Sequence, residues 1–306
     1  MKVLLATQKP FAAKAVEGIE SILKEAGHEV EKLEKYEFQE DLIAAAADAE
    51  AMIIRSDKVT PEVLEAAKKL KIVVRAGAGF DNVDLAAATA HGVVVMNTPG
   101  QNSNAVAELA IAMMIYMSRT QFTPATGSEI MGKKLGIQAF GNVGRLVGAK
   151  AEALGMKVMA IDPFLPAEKI IAGGAEPASS LEDLYSSCDF VSIHIPATPE
   201  TIKSIGYDLV TKMPKGACLV NTARKEVIDE EGLMKALEER QDLKYITDVM
   251  PDNYAEMKEK FGLRVFATPK KMGAQTSEAN INAGLAAARQ IVDYFATGNT
   301  RFQVNK

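Results

Sequence analysis

The chain has 306 residues, 48% of them hydrophobic and 25% charged, a composition typical of a globular protein large enough for two domains. Its net charge of −5 argues against a general nucleic-acid binder, which needs a basic face to displace counterions from phosphates. No apolar run reaches the roughly 20 residues of a membrane-spanning helix, and the two cysteines, Cys188 and Cys218, are too few for a disulfide framework. The first apolar stretch is too short for an export signal, so we expect a cytoplasmic protein.

The first hundred residues alternate between buried strands and helices. Short β-branched runs predict strands at Val3–Thr7, Ala51–Ile54, Ile72–Val74 and Val93–Met96. Helical patterns lie between them at Phe11–Ala26 and Pro61–Leu70, the second with Thr60 as N-cap and Pro61 at its first position. Alternation of this kind predicts a parallel sheet that is covered by helices on both faces.

A second series of strands follows a long helical run from Asn102 to about Arg119. The predicted strands are Lys134–Ala139, Lys157–Ile161, Phe190–Ile193, Ala217–Val220, Tyr245–Val249 and Arg264–Ala267. A last helix, Ser277–Ala296, is positioned to return and complete the first domain. The prediction is therefore an α/β protein with two Rossmann-like, doubly wound parallel sheets.

A glycine-containing turn opens the second series. Gly141 and Gly144 occupy the second and third positions of a Gly-x-Gly-x-x-Gly pattern, and Ala139 replaces the first glycine. The pattern joins a strand to a helix, where a tight turn directs a helix N-terminus at a pyrophosphate. Asp162 ends the next strand, where a carboxylate accepts hydrogen bonds from ribose hydroxyls and repels a 2′-phosphate. These residues predict NAD as the cofactor in preference to NADP.

Three further blocks accompany this turn in a fixed order. They are Val74–Asp84 with Arg-Ala-Gly-Ala-Gly, Asn97–Glu108 with Asn-Thr-Pro-Gly, and Asn221–Glu230 with Asn-Thr-Ala-Arg. Together they resemble the D-2-hydroxyacid dehydrogenases, most closely the branch that oxidises D-3-phosphoglycerate at the start of the phosphorylated route to serine. The resemblance covers nearly the whole chain and implies the short form without a C-terminal regulatory domain. It also implies a substrate-binding domain of residues 1–98 and 277–306, an NAD-binding domain of residues 99–276, and a homodimer.

The resemblance implies that Arg224 binds the substrate carboxylate next to the reacting carbon. Its guanidinium suits bidentate binding of a carboxylate. The family's usual acid/base is a histidine that is held by a glutamate. Here the block reads Thr-Pro-Lys-Lys-Met-Gly, and counting back from Gly273 places Lys271 at the histidine position, with Lys270 as the alternative register. Asn253 stands where the glutamate is expected. A lysine can act as a base only if its pKa falls from about 10.4, through desolvation and nearby cations, so we expect an alkaline optimum for oxidation.

The remaining site residues also follow from the resemblance. Arg55 and Arg75 are expected to bind the substrate phosphate, with Lys58 as a further candidate, and the backbone N–H groups of Gly77, Ala78 and Gly79 are expected to bind its carboxylate. Ser56 and Asn102 are expected to complete the substrate site. For the cofactor, the expected contacts are Gly141, Asn142, Val143, Gly144, Asp162, His194, Ile195, Pro196, Thr201, Thr222, Ala223, Arg224, Asp248, Gly273 and Ala274. No metal site is expected.

Two other functions compete with this prediction. One is a 2-ketoacid reductase of the lactate or glyoxylate type, which would not need Arg55 and Arg75 as phosphate ligands. The other is a non-catalytic scaffold that senses NAD, as some corepressors do, and the missing histidine and glutamate are the reason to consider it.

Overall fold

A computed structural model describes residues 1–306, and the chain divides into two compact units. The first unit comprises Met1–Asn102 and Gln275–Lys306, and the second comprises Ser103–Ala274. No helix in either unit has the length and apolarity that crossing a membrane requires. The roles expected for the two units, substrate binding and cofactor binding, stay predictions.

The elements follow one another in strict βα alternation through most of the chain. In chain order they are β1 Lys2–Thr7, α1 Ala13–Glu25, β2 Glu29–Glu34, α2 Gln39–Ala46, β3 Ala51–Ile54, α3 Pro61–Ala66, β4 Ile72–Arg75, α4 Leu85–Ala90, β5 Val94–Asn97, α5 Ser103–Ser118, β6 Lys134–Gln138, α6 Asn142–Ala153, β7 Lys157–Ile161, α7 Ala167–Ala172, β8 Glu176–Pro177, α8 Leu181–Ser187, β9 Phe190–Ile193, α9 Tyr207–Val210, β10 Cys218–Asn221, α10 Glu230–Glu239, β11 Lys244–Thr247, α11 Tyr254–Phe261, β12 Val265–Ala267 and α12 Ser277–Thr297.

The first unit is built on a five-stranded parallel sheet in the order β2-β1-β3-β4-β5. Helices α1 and α12 pack against each other on one face, where Ile19, Leu23 and Ile291 are fully buried. Each such side chain contributes roughly 1.5–3 kcal/mol through removal of its surface from water. Helices α2, α3 and α4 supply the apolar core on the other face. The carboxyl ends of β3 and β4 lie side by side, since Ile54 pairs with Arg75.

The second unit is built on a seven-stranded parallel sheet in the order β12-β11-β10-β9-β6-β7-β8. The chain starts at β6 in the middle, builds outward to β8, and then returns to β9 on the other side of β6. The strand order therefore reverses between β6 and β9, which is where ligands bind in open parallel sheets. Helix α5 packs on α6 and covers one face with Met113, Met114 and Met117.

The two doubly wound parallel sheets confirm the predicted fold class, and several element bounds need correction. Strand β2 was not expected, because its sequence Glu-Val-Glu-Lys-Leu-Glu is polar; as an edge strand it packs few side chains into the core. Helix α3 ends at Ala66 and not at Leu70. The predicted strand Lys134–Ala139 ends at Gln138, because Ala139 adopts a left-handed conformation that leaves the strand.

Candidate active site

The glycine turn connects β6 to α6. Gly141 is the N-cap of α6, and a side chain added to it would meet nothing within 4 Å, so the helix N-terminus faces open space. A Cβ on Gly144 would lie 2.3 Å from the carbonyl oxygen of Ala139, which excludes any larger residue there. Asn142 and Val143 form the first turn of the helix with their backbone N–H groups directed to the same end. The turn therefore has the shape that receives a pyrophosphate.

Ala139 occupies the position of the missing first glycine with φ at +74°. An alanine in this left-handed region is less favourable by about 1 kcal/mol or more than a glycine. The strand next to it holds the conformation, because the amide of Ala139 donates to the carbonyl of Ile161 at 2.9 Å. The turn keeps the backbone path that a glycine would take, at the cost of local strain.

Asp162 lies directly after β7, beside this turn. Its Oδ2 accepts the backbone N–H of Phe140 at 2.9 Å, and its Oδ1 accepts that of Phe164 at 2.9 Å. Each carboxylate oxygen has a second lone pair for a further donor. The carboxylate is thus fixed beside the glycine turn in an orientation that suits ribose hydroxyls.

His194 follows β9 and is held by two hydrogen bonds. Its backbone N–H donates to Gln138 O at 2.9 Å, and its Nε2 lies 2.9 Å from Ser192 Oγ. Burial lowers the pKa of His194 to about 4, so the imidazole is neutral at pH 7. This residue therefore does not serve as a proton donor near neutral pH.

The loop after His194 continues along the same edge. Ile195 is buried and Pro196 is exposed. The hydroxyl of Thr201 donates to Pro196 O at 2.6 Å and accepts the N–H of Thr198 at 2.8 Å, which closes the loop on itself. This loop carries three predicted cofactor contacts, Ile195, Pro196 and Thr201. It follows β9, which pairs with β6, the strand that leads into the glycine turn.

The turn after β10 is fixed by Asn221. Its Oδ1 accepts the N–H of Ala223 at 2.9 Å, and its Nδ2 donates to the carbonyl of Arg224 at 2.9 Å. The hydroxyl of Thr222 is buried and has no partner within the protein, although a buried hydroxyl normally has one. A bound ligand would supply the hydrogen-bond partner that this hydroxyl lacks. The role of Asn221 was missed, since its sequence context shows only the end of a strand.

Two cationic side chains meet at this turn. Arg224 Nη1 donates to the carbonyl oxygen of Ala223 at 3.0 Å, and Lys271 Nζ donates to the same oxygen at 3.1 Å. Lys271 is exposed and Arg224 is half-buried. Lys270 is also exposed, but its ammonium donates to no protein acceptor and only its carbonyl is engaged, by the hydroxyl of Thr268 at 2.8 Å. Of the two registers, the geometry favours Lys271.

Asp248 holds the loop that carries Lys271. This carboxylate is completely buried, with Oδ1 accepting the N–H of Met272 at 2.7 Å and the hydroxyl of Thr268 at 3.0 Å. Its Oδ2 accepts the N–H of Gly273 at 2.7 Å. A Cβ on Gly273 would lie 3.0 Å from the same Oδ2, so glycine permits this close approach. Ala274, another predicted cofactor contact, is the next residue. Asp248 was predicted as a cofactor contact; its hydrogen bonds here position the lysine loop.

Asn253, at the position expected for a glutamate, is the N-cap residue of α11. Its Oδ1 is buried without a protein partner, while its backbone N–H donates to Glu230 at 3.3 Å. Glu230 also accepts the N–H of Asp252 at 3.1 Å, and Asp252 forms an ion pair with Lys225 at 2.6 Å. Asn253, which stands at the glutamate position, therefore belongs to a loop that these hydrogen bonds and this ion pair stabilise.

In the first unit, Arg55 follows β3 and is held by protein oxygens. Its Nη1 donates to the carbonyls of Lys9 at 2.9 Å and Pro10 at 3.1 Å, and its Nη2 donates to the side chain of Asn280. The guanidinium also lies over the ring of Phe11, 5.0 Å from its centroid. Partial burial lowers the pKa of Arg55, but a guanidinium stays charged at any physiological pH. The Nε–H and one Nη2–H remain for an anion.

Asp57 organises the backbone around Arg55. Its carboxylate is buried and accepts the N–H of Arg55 at 3.0 Å, the N–H of Gln8 at 2.7 Å and the hydroxyl of Tyr36 at 2.8 Å. Burial, together with this hydrogen bond, raises the pKa of Tyr36. Asp57 was missed because a polar residue after a strand is more often exposed, and the sequence carries no sign of its burial.

Arg75 ends β4 and connects to Arg55 through the backbone. Its Nε donates to the carbonyl of Arg55 at 3.0 Å. A Cβ on Gly77 would lie 1.5 Å from Nη1 of Arg75, and φ of Gly77 is +151°, so only glycine fits beside this guanidinium. The other predicted substrate residues also lie in this unit: Ser56, Lys58 and Ala78 are exposed, while Gly79 and Asn102 are half-buried.

The chain is similar in sequence to proteins of one known family. Residues 105–270 match the model of the NAD-binding domain of the D-isomer specific 2-hydroxyacid dehydrogenases. A D-3-phosphoglycerate dehydrogenase of Methanocaldococcus jannaschii is 36% identical over an alignment of 268 residues that covers 83% of this chain and 51% of the relative. The enzyme of the same name from Rattus norvegicus is 36% identical over 89% of this chain and 53% of its own length. The chain thus spans about half the length of these curated relatives.

A solved structure matches over the full length of the chain. The NAD+-bound 3-phosphoglycerate dehydrogenase of Entamoeba histolytica is 50% identical, with a TM-score of 0.89 over 100% of this chain and 99% of that one.

Proposed function

This chain belongs to the D-isomer specific 2-hydroxyacid dehydrogenase family, and on that premise we propose that it oxidises D-3-phosphoglycerate to 3-phosphohydroxypyruvate with NAD. The reaction would supply the phosphorylated route to serine. The observation that carries the proposal is the meeting of Arg224 and Lys271 at the carbonyl of Ala223. A carboxylate-binding fork next to an amine is what oxidation of a 2-hydroxy acid requires.

The residues of the second unit fit NAD. The N-terminus of α6 behind Gly141 would hold the pyrophosphate, Asp162 the ribose hydroxyls, and the unpartnered hydroxyl of Thr222 supplies one further hydrogen bond. The cofactor supplies the acceptor for the hydride that leaves C2. The fixed carboxylate of Asp162 disfavours the 2′-phosphate of NADP by charge repulsion.

Arg224 and Lys271 divide the chemistry at the reacting carbon. The guanidinium of Arg224 binds the substrate carboxylate and orients C2. As the C2–H bond breaks toward the cofactor, the hydroxyl loses its proton to the neutral amine of Lys271 and the C2–O bond becomes a carbonyl. In the reverse direction the ammonium returns that proton to the forming alkoxide. The neighbouring guanidinium favours the neutral amine, because two adjacent cations repel each other.

Arg55 and Arg75 would recognise the phosphate. Arg55 retains an Nε–H and an Nη2–H, and a guanidinium binds a phosphate oxygen pair with two parallel hydrogen bonds. Since its other donors are already bound to protein, the fork is preorganised and loses little entropy on binding. The backbone N–H groups of Ala78 and Gly79 would add donors for the substrate carboxylate, whereas that of Gly77 already donates to the carbonyl of Arg75 at 2.9 Å.

The two competing functions are less well supported. A lactate or glyoxylate reductase has no phosphate to bind and therefore no use for Arg55 and Arg75 as phosphate ligands. A non-catalytic scaffold has no use for an amine that shares a carbonyl with Arg224. Turnover rates with a panel of 2-hydroxy acids would distinguish both alternatives from phosphoglycerate oxidation.

We further propose that the protein works as a homodimer in the cytoplasm, with no nucleic-acid or membrane partner. The acidic net charge of −5 disfavours a nucleic-acid partner, and the resemblance to the family implies the homodimer. Light scattering after size-exclusion chromatography tests the dimer, and a monomer would contradict it.

The activity is tested by NAD reduction with D-3-phosphoglycerate at alkaline pH, with D-lactate as the comparison. We expect turnover with phosphoglycerate, little with D-lactate, and loss of turnover in Lys271→Ala. Equal rates with both substrates would favour the general 2-ketoacid reductase. Tight NAD binding without turnover of any 2-hydroxy acid would favour the scaffold.

A further inference from the structure

The second unit has a cavity at the end of its sheet opposite the glycine turn. It has a volume of about 210 Å³ and lies at the amino ends of β6, β9, β10 and β11, beside the last residues of α5. Its polar lining includes Lys133, Asp189, Lys215, Gly216 and Lys244. All strands of the sheet are parallel, so a four-residue strand of roughly 13 Å separates this cavity from the edge that carries Asp162 and Arg224.

The lining carries an excess of positive charge. Three lysines face one carboxylate, that of Asp189, which leaves a formal charge of about +2 in a chain whose net charge is −5. Asp189 Oδ1 lies 3.7 Å from Lys133 Nζ, and its Oδ2 already accepts the N–H of Lys134 at 2.8 Å. Lys215 and Lys244 form no ion pair with any residue of the chain.

Neighbouring groups do not cancel this excess. The carboxylate of Asp242, which accepts the N–H of Gly216 at 2.7 Å, is paired with Arg240 at 2.7 Å, and this pairing holds its pKa well below the usual range. The carboxyl end of α5 contributes roughly half a negative charge. Its last carbonyl, that of Ser118, is already bound by the N–H of Ser128 at 2.8 Å.

The floor of the cavity is apolar and uncharged. Met117, Phe190 and Cys218 are buried, and burial raises the pKa of Cys218 to about 12, so its thiol stays neutral. The volume is below the roughly 300–1,000 Å³ of cavities that hold drug-sized ligands. The space therefore suits a small anion with a short body.

We propose that this cavity binds a small dianion, a phosphate group or a short dicarboxylate, at a site separate from the substrate and cofactor sites. Lys215 and Lys244 provide the two unpaired cations, and Lys133 provides a third that Asp189 holds in place. The two negative charges of such an ion would balance the formal charge of about +2 that the lysines and Asp189 give the lining. The proposal does not depend on the activity proposed above.

The sequence offers a selective probe, because Lys215–Gly216 is its one Lys-Gly pair. Protein labelled with carbonyl-¹³C lysine and ¹⁵N glycine therefore gives a single carbonyl-filtered amide signal, that of Gly216 in the cavity wall. We expect inorganic phosphate to shift this signal saturably, and malonate serves as the dicarboxylate. Potassium acetate and potassium chloride at matched ionic strength should leave it in place. Comparison of the two dianions shows which head group the site prefers.

Lys244→Gln should weaken the phosphate response at least about tenfold, since a hydrogen bond to a charged group contributes roughly 1.5–3 kcal/mol. Lys169→Gln removes the same charge from an exposed residue on α7 and should leave the response unchanged. A Gly216 signal that moves no more with phosphate than with chloride would overturn the proposal. An unchanged phosphate response in Lys244→Gln would do the same.

Discussion

The two units hold their cations in different ways. In the first, Arg55 donates to three protein oxygens, lies over the ring of Phe11 and is half-buried. In the second, Lys271 is exposed, and its ammonium shares the carbonyl of Ala223 with Arg224. A fixed guanidinium suits recognition, because its geometry is set before the ligand arrives. An amine that can leave its acceptor suits proton transfer, because it must change partners during the reaction.

The largest effect expected from this difference is on turnover. Lys271→Ala should reduce kcat by about 10²–10⁴-fold, the usual share of general acid/base catalysis, with little change in the KM for phosphoglycerate. Steady-state kinetics of NAD reduction measure it. Lys270→Ala is the matched control, since it removes a neighbouring exposed amine, and it should stay close to the parent rate. If Lys271→Ala kept normal turnover and Lys270→Ala lost it, the acid/base would be Lys270 and not Lys271.

The counterpart in the first unit is an effect on binding. Arg55→Ala should raise the KM for D-3-phosphoglycerate roughly 10–100-fold, since charge-assisted hydrogen bonds contribute about 1.5–3 kcal/mol. The KM for an unphosphorylated 2-hydroxy acid should change little. Arg55→Lys keeps the charge without the fork and should recover only part of the affinity. Equal increases of KM for both substrates would reject the phosphate assignment.

His194 differs from both of these cations, because its imidazole is uncharged at neutral pH. Its folded pKa of about 4 lies below the ordinary value of 6.5, so the unfolded chain binds more protons between these pH values. The free energy of unfolding should therefore decrease as pH falls from 6.5 to 4, by at most about 3 kcal/mol from this residue. Urea titrations across this window measure it. His194→Gln should flatten the slope, and an unchanged slope would show that the imidazole is not buried in its neutral form.

The smallest expected effect concerns the strained glycine turn. Ala139→Gly should raise the free energy of unfolding by about 0.5–1 kcal/mol, because relief of the left-handed conformation exceeds the entropy lost on ordering a glycine. Thermal unfolding measures the change. Ala153→Gly, in the last turn of α6, is the control and should destabilise by a similar amount. A destabilised Ala139→Gly protein would mean that the turn does not hold residue 139 at positive φ.

The sequence was most informative where a pattern is local. Buried strands such as Ala51–Ile54 and Phe190–Ile193 are short continuous apolar runs, and their bounds agree with the structure. The polar edge strand β2 shows no such run and was missed. Asp57 and Asn221 organise the two loops through hydrogen bonds to their own and distant backbone, and nothing in their immediate sequence distinguishes them from ordinary turn residues.

The convergence of Lys271 with Arg224 could be expected only from the resemblance. The two residues are far apart in sequence, and their meeting depends on how Asp248 holds the loop from Thr268 to Gly273. Motif spacing identifies the residue types on each loop but not the carbonyl that both side chains reach. Local conformation at Ala139 was likewise beyond the sequence, because the neighbouring strand imposes it.

We propose that the amine at position 271 carries the hydroxyl proton, and chemical rescue of a variant without this amine is the sharpest test. Lys271→Ala enzyme would be assayed for NAD reduction with D-3-phosphoglycerate at alkaline pH while methylamine or ethylamine is added at constant ionic strength. We expect turnover to recover saturably and to follow the concentration of the free base when pH is varied. A folded Lys271→Ala enzyme that binds NAD and phosphoglycerate but gains no turnover from any amine would contradict it.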